Sequence, residues 1–121
     1  MLAHLRAVLP QEGCGLLSGA GGRIAGVYPI DNILRSPVSY EMDPRQQIEA
    51  MLAIEAAGLE MAAFYHSHPT GPDEPSETDI ERAYYPDVRQ LIVSLADPER
   101  PIARAFWVVA GVVQAIPLRV L

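Results

Sequence analysis

The sequence predicts an α/β fold in which a mixed β-sheet is flanked by helices. Strand and helix candidates alternate through the first part of the chain, whereas strand candidates dominate its end, a pattern that suits a mixed sheet covered by helices. The chain has 121 residues, half of them hydrophobic, which is the size of one domain able to bury a core without disulfides or metal staples. No repeat, low-complexity tract or linker interrupts it, so residues 1–121 are expected to form a single domain.

The elements follow in order. Leu2, Leu5 and Leu9 recur at helical spacing with no capping residue before them, so the chain is expected to open inside a helix. After Pro10, the apolar stretch Cys14 to Ser18, the glycine-rich turn at residues 19–22 and the stretch Arg23 to Tyr28 read as a hairpin. Residues 31–43 read as a loop that ends in a helix signal: Asp43 as cap, Pro44 at the first position and Gln46 completing a capping box. Ile48, Met51 and Leu52 give that helix its apolar spacing, and Gly58 supplies a stop. Met61 to Tyr65 is a short apolar run with aromatic residues at its end, expected as a buried strand that delivers His66 to the sheet margin. Pro69, Gly71, Pro72 and Pro75 enforce a loop over residues 69–75, and a short helix is expected from Ser76 to Tyr85, before Pro86. Val88 to Leu95, Ile102 to Val109 and Val112 to Leu118 are three further strand candidates.

Fifteen acidic residues against nine basic ones give a formal net charge of −6. That balance disfavours nucleic acid and anionic membrane as partners by bulk electrostatics. The single cysteine, Cys14, has no partner for an internal disulfide, and the chain shows no signal-peptide pattern and no apolar run of about 18 residues. A soluble, cytoplasmic protein is expected.

The chemically informative segment is His66-Ser67-His68, then Pro69 through Pro75, then Ser76-Glu77-Thr78-Asp79. Residues two apart on an extended segment point to the same side, so His66 and His68 can present two imidazoles to one point. Asp79 can add a third ligand if the Pro/Gly loop folds the following helix back over them. Three nitrogen and oxygen ligands with one position left for water is the composition of a catalytic zinc site. Each residue also has a plainer role. An isolated His-x-His is more often a pair of polar residues at a strand end, and Ser76 with Asp79 fits a helix cap and capping-box carboxylate without any metal. One carboxylate in a first helical turn can serve both purposes. Glu12, beside a glycine, would ordinarily be solvated surface. It gains weight because hydrolysis of an amide at such a site needs a base that takes a proton from water and returns it to the leaving amine. Other layouts fail: the chain has no His-Glu-x-x-His pair and no Pro-Cys-x-x-Cys. Cys14 is expected as a small buried core residue, His4 as a helix-surface residue, and Phe64, Tyr65, Phe106 and Trp107 as core aromatics.

Glu12, followed at a distance by His66-Ser67-His68-Pro69, Ser76 and Asp79, resembles the full signature of the JAMM (MPN+) zinc metalloprotease family, in its short prokaryotic form. Glu12 through Gly19, Asp31-Asn32, the Tyr40 to Pro44 stretch and the late strands extend the likeness over nearly the whole chain. The resemblance implies a three-layer MPN architecture, similar to cytidine deaminases. It implies Zn2+ on His66, His68 and Asp79, Glu12 as general base and acid, and Ser76 as a donor to the tetrahedral oxyanion. Ser67 is expected to point away from the metal.

Family members usually place a strand ahead of the opening helix. Here that first strand is expected to be missing: either the start at Met1 lies too late, or the chain leaves a sheet edge uncovered, which would favour a homodimer or poor stability. The resemblance further implies a ubiquitin-like or sulfur-carrier protein as partner, its Gly-Gly tail laid beside the site as an extended strand. The activity is then cleavage of the amide after that tail, either from a lysine or from a cysteine or other adduct, with a tilt toward sulfur-carrier processing. The segments Asn32 to Asp43 and Tyr84 to Asp87 are the expected substrate walls. The rival is a non-catalytic MPN scaffold that binds protein partners; such modules usually lack parts of the metal motif, and this chain lacks none. A structural zinc site would favour four protein ligands with cysteine among them.

Overall fold

A computed structural model describes residues 1–118. Its centre is one six-stranded sheet built from β1 (Cys14–Ala20), β2 (Arg23–Ile30), β3 (Glu60–His68), β4 (Arg89–Ser94), β5 (Ile102–Val109) and β6 (Val112–Ile116), in the order β2-β1-β3-β4-β5-β6. Every neighbouring pair is antiparallel except β3 and β4, which run parallel. The sheet is therefore mixed, as expected. The hairpin between β1 and β2 turns at Gly21 and Gly22, whose φ angles of 58° and 80° lie where an L side chain is disfavoured.

Side-chain alternation divides the core between the two faces of the sheet. Leu17, Ala63, Tyr65, Leu91 and Val93 pack with Leu5 of α1 (Leu2–Ala7). On the opposite face Cys14, Leu16 and Phe64 pack with Ala50 and Ile54 of α2 (Pro44–Ala56). Ile92, Phe106 and Val108, which alternate with the first set, meet Ile80 of α3 (Glu77–Glu81). The layers are thus α1, sheet, and α2 with α3. α1 lies close over the chain entering β1, because a Cβ on Gly13 would sit 2.7 Å from Leu5 Cδ2. No strand precedes α1 among the described residues.

Several local expectations need correction. Asp43 caps α2 by accepting from the backbone N–H groups of Arg45 and Gln46, but Gln46 completes no capping box. Its amide instead accepts from the Asp31 N–H and donates to the Asp31 carboxylate, both at 2.8 Å. The buried face of α2 is Ala50 and Ile54, with the expected Met51 half-buried against the same cluster, while Ile48 and Leu52 are exposed. β3 runs three residues beyond Tyr65 and carries both histidines inside the strand. α3 is only one turn and stops at Glu81, short of Tyr85. His4 is half-buried rather than on the surface, with its Nδ1 2.9 Å from the Tyr65 hydroxyl.

Parallel pairing of β3 and β4 dictates the next feature. Two parallel neighbours need a long crossover. Here the crossover is the Pro/Gly loop, α3 and the segment up to Val88, and it arches over the C-terminal end of β3.

Candidate metal centre

The crossover brings Asp79 back over the histidines of β3. His66 and His68 share the side of Phe64, toward the α2 and α3 face. Their Nε2 atoms lie 3.1 Å apart. Asp79 Oδ2 completes a triangle, 3.1 Å from His66 Nε2 and 3.0 Å from His68 Nε2. The same oxygen accepts the Ser76 backbone N–H at 2.9 Å, and Ser76 Oγ accepts the Asp79 N–H at 3.1 Å. The capping box expected from the sequence is therefore present, and its carboxylate also faces the imidazoles.

Glu12 arrives from the other strand. Cys14 pairs with His66 across β1 and β3, and the ladder continues one step past β1, where the Ser67 N–H donates to the Gly13 carbonyl at 2.9 Å. Ser67 Oγ accepts the Gly13 N–H, also at 2.9 Å, so its hydroxyl is turned away from the triangle and locks the two strands together. Glu12 shares the alternation of Cys14 and Leu16, and it is only 3% exposed. It offers a carboxylate oxygen to a cluster with His66, His68 and Asp79 in which all four ligand atoms lie within 4.8 Å of one another. The Glu12 carbonyl is held by Asn32 Nδ2 at 3.0 Å.

The electrostatics of this cluster are those of a site with too many acceptors. His68 Nδ1 lies 2.6 Å from the Pro72 carbonyl, which can only accept, so Nδ1 carries the proton and a neutral His68 turns the lone pair of Nε2 into the triangle. That lone pair faces the Asp79 carboxylate at 3.0 Å. A proton or a cation must lie between them. A metal with arms of about 2.0–2.2 Å to nitrogen and oxygen in tetrahedral geometry has ligand–ligand edges of about 3.3–3.5 Å, a few tenths of an ångström wider than this triangle. The residues present fit a metal ion.

Without a metal, the same contacts set the protonation preferences of the cluster. Burial works against the charge of Asp79, yet the two histidine contacts and the Ser76 N–H outweigh it and hold the carboxyl well below the usual carboxylate range. Burial also opposes charge on His68, but Asp79, the Pro72 carbonyl and Glu12 overcome it and raise its pKa. His66 is pushed down by burial, which its Asp79 contact only partly offsets. Burial lifts Glu12 to about 7, with His68 opposing and Asp79 adding to the shift. One Glu12 oxygen, Oε1, is buried with no hydrogen-bond partner, and so is His66 Nδ1. Cys14, raised to about 12 mainly by burial, is a core thiol and no nucleophile.

A cleft of about 440 Å³ opens beside Asp79, lined by Tyr40, Met42, Phe64, Arg82, Tyr84 and Tyr85 among others. Both segments expected as walls contribute to it. The sequence reading named Tyr40 only as part of a stretch. In the fold its ring stacks on His66, with centroids 4.5 Å apart and planes at 28°. No spacing rule links residues so far apart, and only the loop's path reveals the contact.

Comparison with known proteins agrees with this geometry. The domain family described as prokaryotic homologs of the JAB domain matches residues 1–109. The CysO-cysteine peptidase of Mycobacterium tuberculosis is 37% identical over 122 residues, covering 99% of this chain and 84% of that protein. The desampylase of Haloferax volcanii is 41% identical over 88 residues, covering 70% of this chain and 63% of that one. The solution structure of a Desulfitobacterium hafniense protein superposes with a TM-score of 0.86 at 39% identity, covering 96% of this chain and 82% of that chain. With the family's match running through both strands and the crossover that form the cluster, the chain belongs to the prokaryotic JAB-domain family of JAMM-type metallopeptidases.

Proposed function

We propose that this chain is a zinc-dependent peptidase that hydrolyses the amide bond after the C-terminal Gly-Gly of a ubiquitin-like or sulfur-carrier protein conjugate. The observation that carries the reading is the convergence of His66, His68 and Asp79 on one point beside a buried Glu12. His66 and His68 through Nε2 and Asp79 through Oδ2 are the residues that would hold the metal. Zinc in such a site supplies Lewis acidity that polarises a carbonyl and acidifies water.

The remaining work falls to the chain itself. Glu12, buried beside the point where the His66, His68 and Asp79 ligand atoms converge, is placed to take a proton from the attacking water and to return it to the leaving amine. The unpartnered Oε1 is the atom available for that transfer. Ser76 Oγ already accepts the Asp79 N–H, so its own O–H remains free to donate to the oxygen that gains charge in the transition state. Asp79 is kept ionised throughout. The cleft beside Asp79 suits an extended, narrow tail, and two glycines present no side chains to exclude. The M. tuberculosis relative is named a CysO-cysteine peptidase, the H. volcanii relative a desampylase, and a Thermus thermophilus relative a probable TtuB-protein conjugate cleaving protease; these names support the proposal. β2 and β6 each pair on one side only, and these open strand edges support a homodimer. A cytoplasmic location is part of the same proposal. No described helix is long and apolar enough to cross a membrane.

The test is to incubate zinc-loaded protein, with Glu12→Ala beside it, with a Gly-Gly-ended carrier bearing either a C-terminal cysteine or an isopeptide-linked lysine, and to read products by intact mass. Cleavage by wild type alone is expected, faster on the cysteine adduct. Zinc bound with no cleavage of either conjugate would instead favour a binding module.

A further inference from the structure

The two histidines of the centre are oriented by different means. His68 has its outer ring nitrogen fixed by the Pro72 carbonyl at 2.6 Å, the usual arrangement by which a ligating imidazole is held in one tautomer and one plane. His66 has no such bond. Its Nδ1 is buried without a partner among the described residues, and the ring is only 1% exposed. What touches its face is Tyr40, stacked at 4.5 Å and 28°.

The loop around Tyr40 is pinned on both sides by a single residue. The buried side chain of Asn32 donates from Nδ2 to the Ser39 carbonyl at 3.1 Å, and its Oδ1 accepts the Glu41 N–H at 3.2 Å. The residues before and after Tyr40 are thus tied to one amide group. The same amide donates to the Glu12 carbonyl at 3.0 Å and its Oδ1 accepts the Leu34 N–H at 3.0 Å, so its hydrogen-bonding capacity is fully used. A bridge between Asn32 and Met42 and the Ile33 N–H to Glu41 carbonyl bond close the loop further. A loop braced this heavily around one aromatic ring holds that ring to a fixed position.

We propose that Tyr40 is the positioning residue for His66. Its stacked ring fixes the plane of that imidazole, as the Pro72 carbonyl does for His68, though without choosing its tautomer, and Asn32 holds the ring in place. The contact acts through the ring face and not through the hydroxyl. The inference rests on the reading of His66 as a metal ligand. It also gives the cleft a direct mechanical link to the metal centre, because Tyr40 lines that cleft.

The experiment measures zinc affinity by competition with a chromophoric chelator for wild type, Tyr40→Phe, Tyr40→Leu and His66→Ala, with the visible spectrum of the cobalt-substituted proteins as a second readout. Loss of a partner that orients a metal ligand typically costs about 10- to 100-fold in affinity. Tyr40→Leu is expected to weaken zinc binding by about 10-fold or more and to alter the cobalt spectrum, while its metal-free far-UV circular dichroism matches wild type. Tyr40→Phe is expected to stay within about 3-fold of wild type. Should Tyr40→Leu fail to fold, Tyr40→Met takes its place. Tight zinc binding by Tyr40→Leu alongside loss in His66→Ala overturns the positioning role and leaves the metal site standing. Equal losses in Tyr40→Phe and Tyr40→Leu overturn the ring-face argument. No zinc on the wild type overturns the inference together with the reading it rests on.

Discussion

Replacing Glu12 by glutamine isolates the cost of keeping a carboxylate in this centre. The side chain is 3% exposed with Oε1 unpartnered, and burial lifts its pKa from 4.5 to about 7. Between those values the folded, metal-free chain holds a proton that the unfolded chain has released. Stability from this group is therefore full below about pH 4.5, falls as pH rises, and is lost above about 7. At 1.36 kcal/mol per pH unit, the difference sets an upper bound of about 3 kcal/mol; relaxation around a buried charge, which raises the effective dielectric above that of dry protein, lowers it to about 1–2 kcal/mol. Glutamine copies the protonated shape and does not titrate. Asp79 and His68 are present in both proteins, so their own pH dependence largely cancels in the comparison.

The assay is thermal unfolding of the chelated wild type and Glu12→Gln at pH 5 and pH 8. At about 4 °C per kcal/mol for a domain of this size, the variant should be about 4–8 °C more stable at pH 8 and nearly equal to wild type at pH 5. Loading with zinc should shrink the gap at pH 8, since a nearby cation stabilises the wild-type carboxylate. A gap that is the same at both pH values would refute the reasoning, because Glu12 would then not be titrating in a buried site.

Three further outcomes follow from the same geometry. His68→Ala should lose both zinc and turnover, whereas Glu12→Ala should keep zinc, measured by metal analysis of the purified chains, and lose at least about 100-fold in kcat; substantial turnover in Glu12→Ala would sink its assignment as proton shuttle. Ser76→Ala removes both a helix cap and an oxyanion donor, so unfolding should show about 1 kcal/mol of lost stability and steady-state kinetics about 100-fold or more of lost kcat; a stability change without a kinetic one would leave Ser76 as a cap alone. Sedimentation should show a dimer that Val112→Lys disperses, and a wild-type monomer would remove the edge strands from consideration.

Legibility in the sequence followed the range of the interaction. The hairpin turn at Gly21-Gly22, the Asp43-Pro44 helix start and the Pro/Gly loop after His68 are written in neighbouring residues, and all three stand where expected. The His66-x-His68 pair is also local, since strand alternation alone places both rings on one side. Asp79 required one long-range fact, the crossover, which the strand and helix order already implied. The outward face of α2 was misread because Ile48 and Leu52 have the spacing of a core stripe, while the packing chose the smaller Ala50 with Ile54. Tyr40 was missed as a neighbour of His66 because the contact depends on how Asn32 folds its loop, and no periodicity encodes that.

The double duty of Asp79 explains why its plainer role and its functional role do not compete. A carboxylate oxygen has lone pairs in more than one direction, and Oδ2 spends one on the Ser76 N–H while facing both imidazoles. The capping box fixes the carboxylate in the first turn of a helix only five residues long, too short to be stable without tertiary support. That support is the packing of Ile80 against Ile92, Phe106 and Val108, together with the contacts from Asp79 to β3. On the proposed reading, the helix cap is the device that aims Asp79 as a ligand, and a bound cation would in turn hold the helix on the sheet. Metal binding and the order of this one turn would then be two sides of a single equilibrium. A capping signal directly after a His-x-His strand thus counts as support for a metal site and no longer as an argument against it.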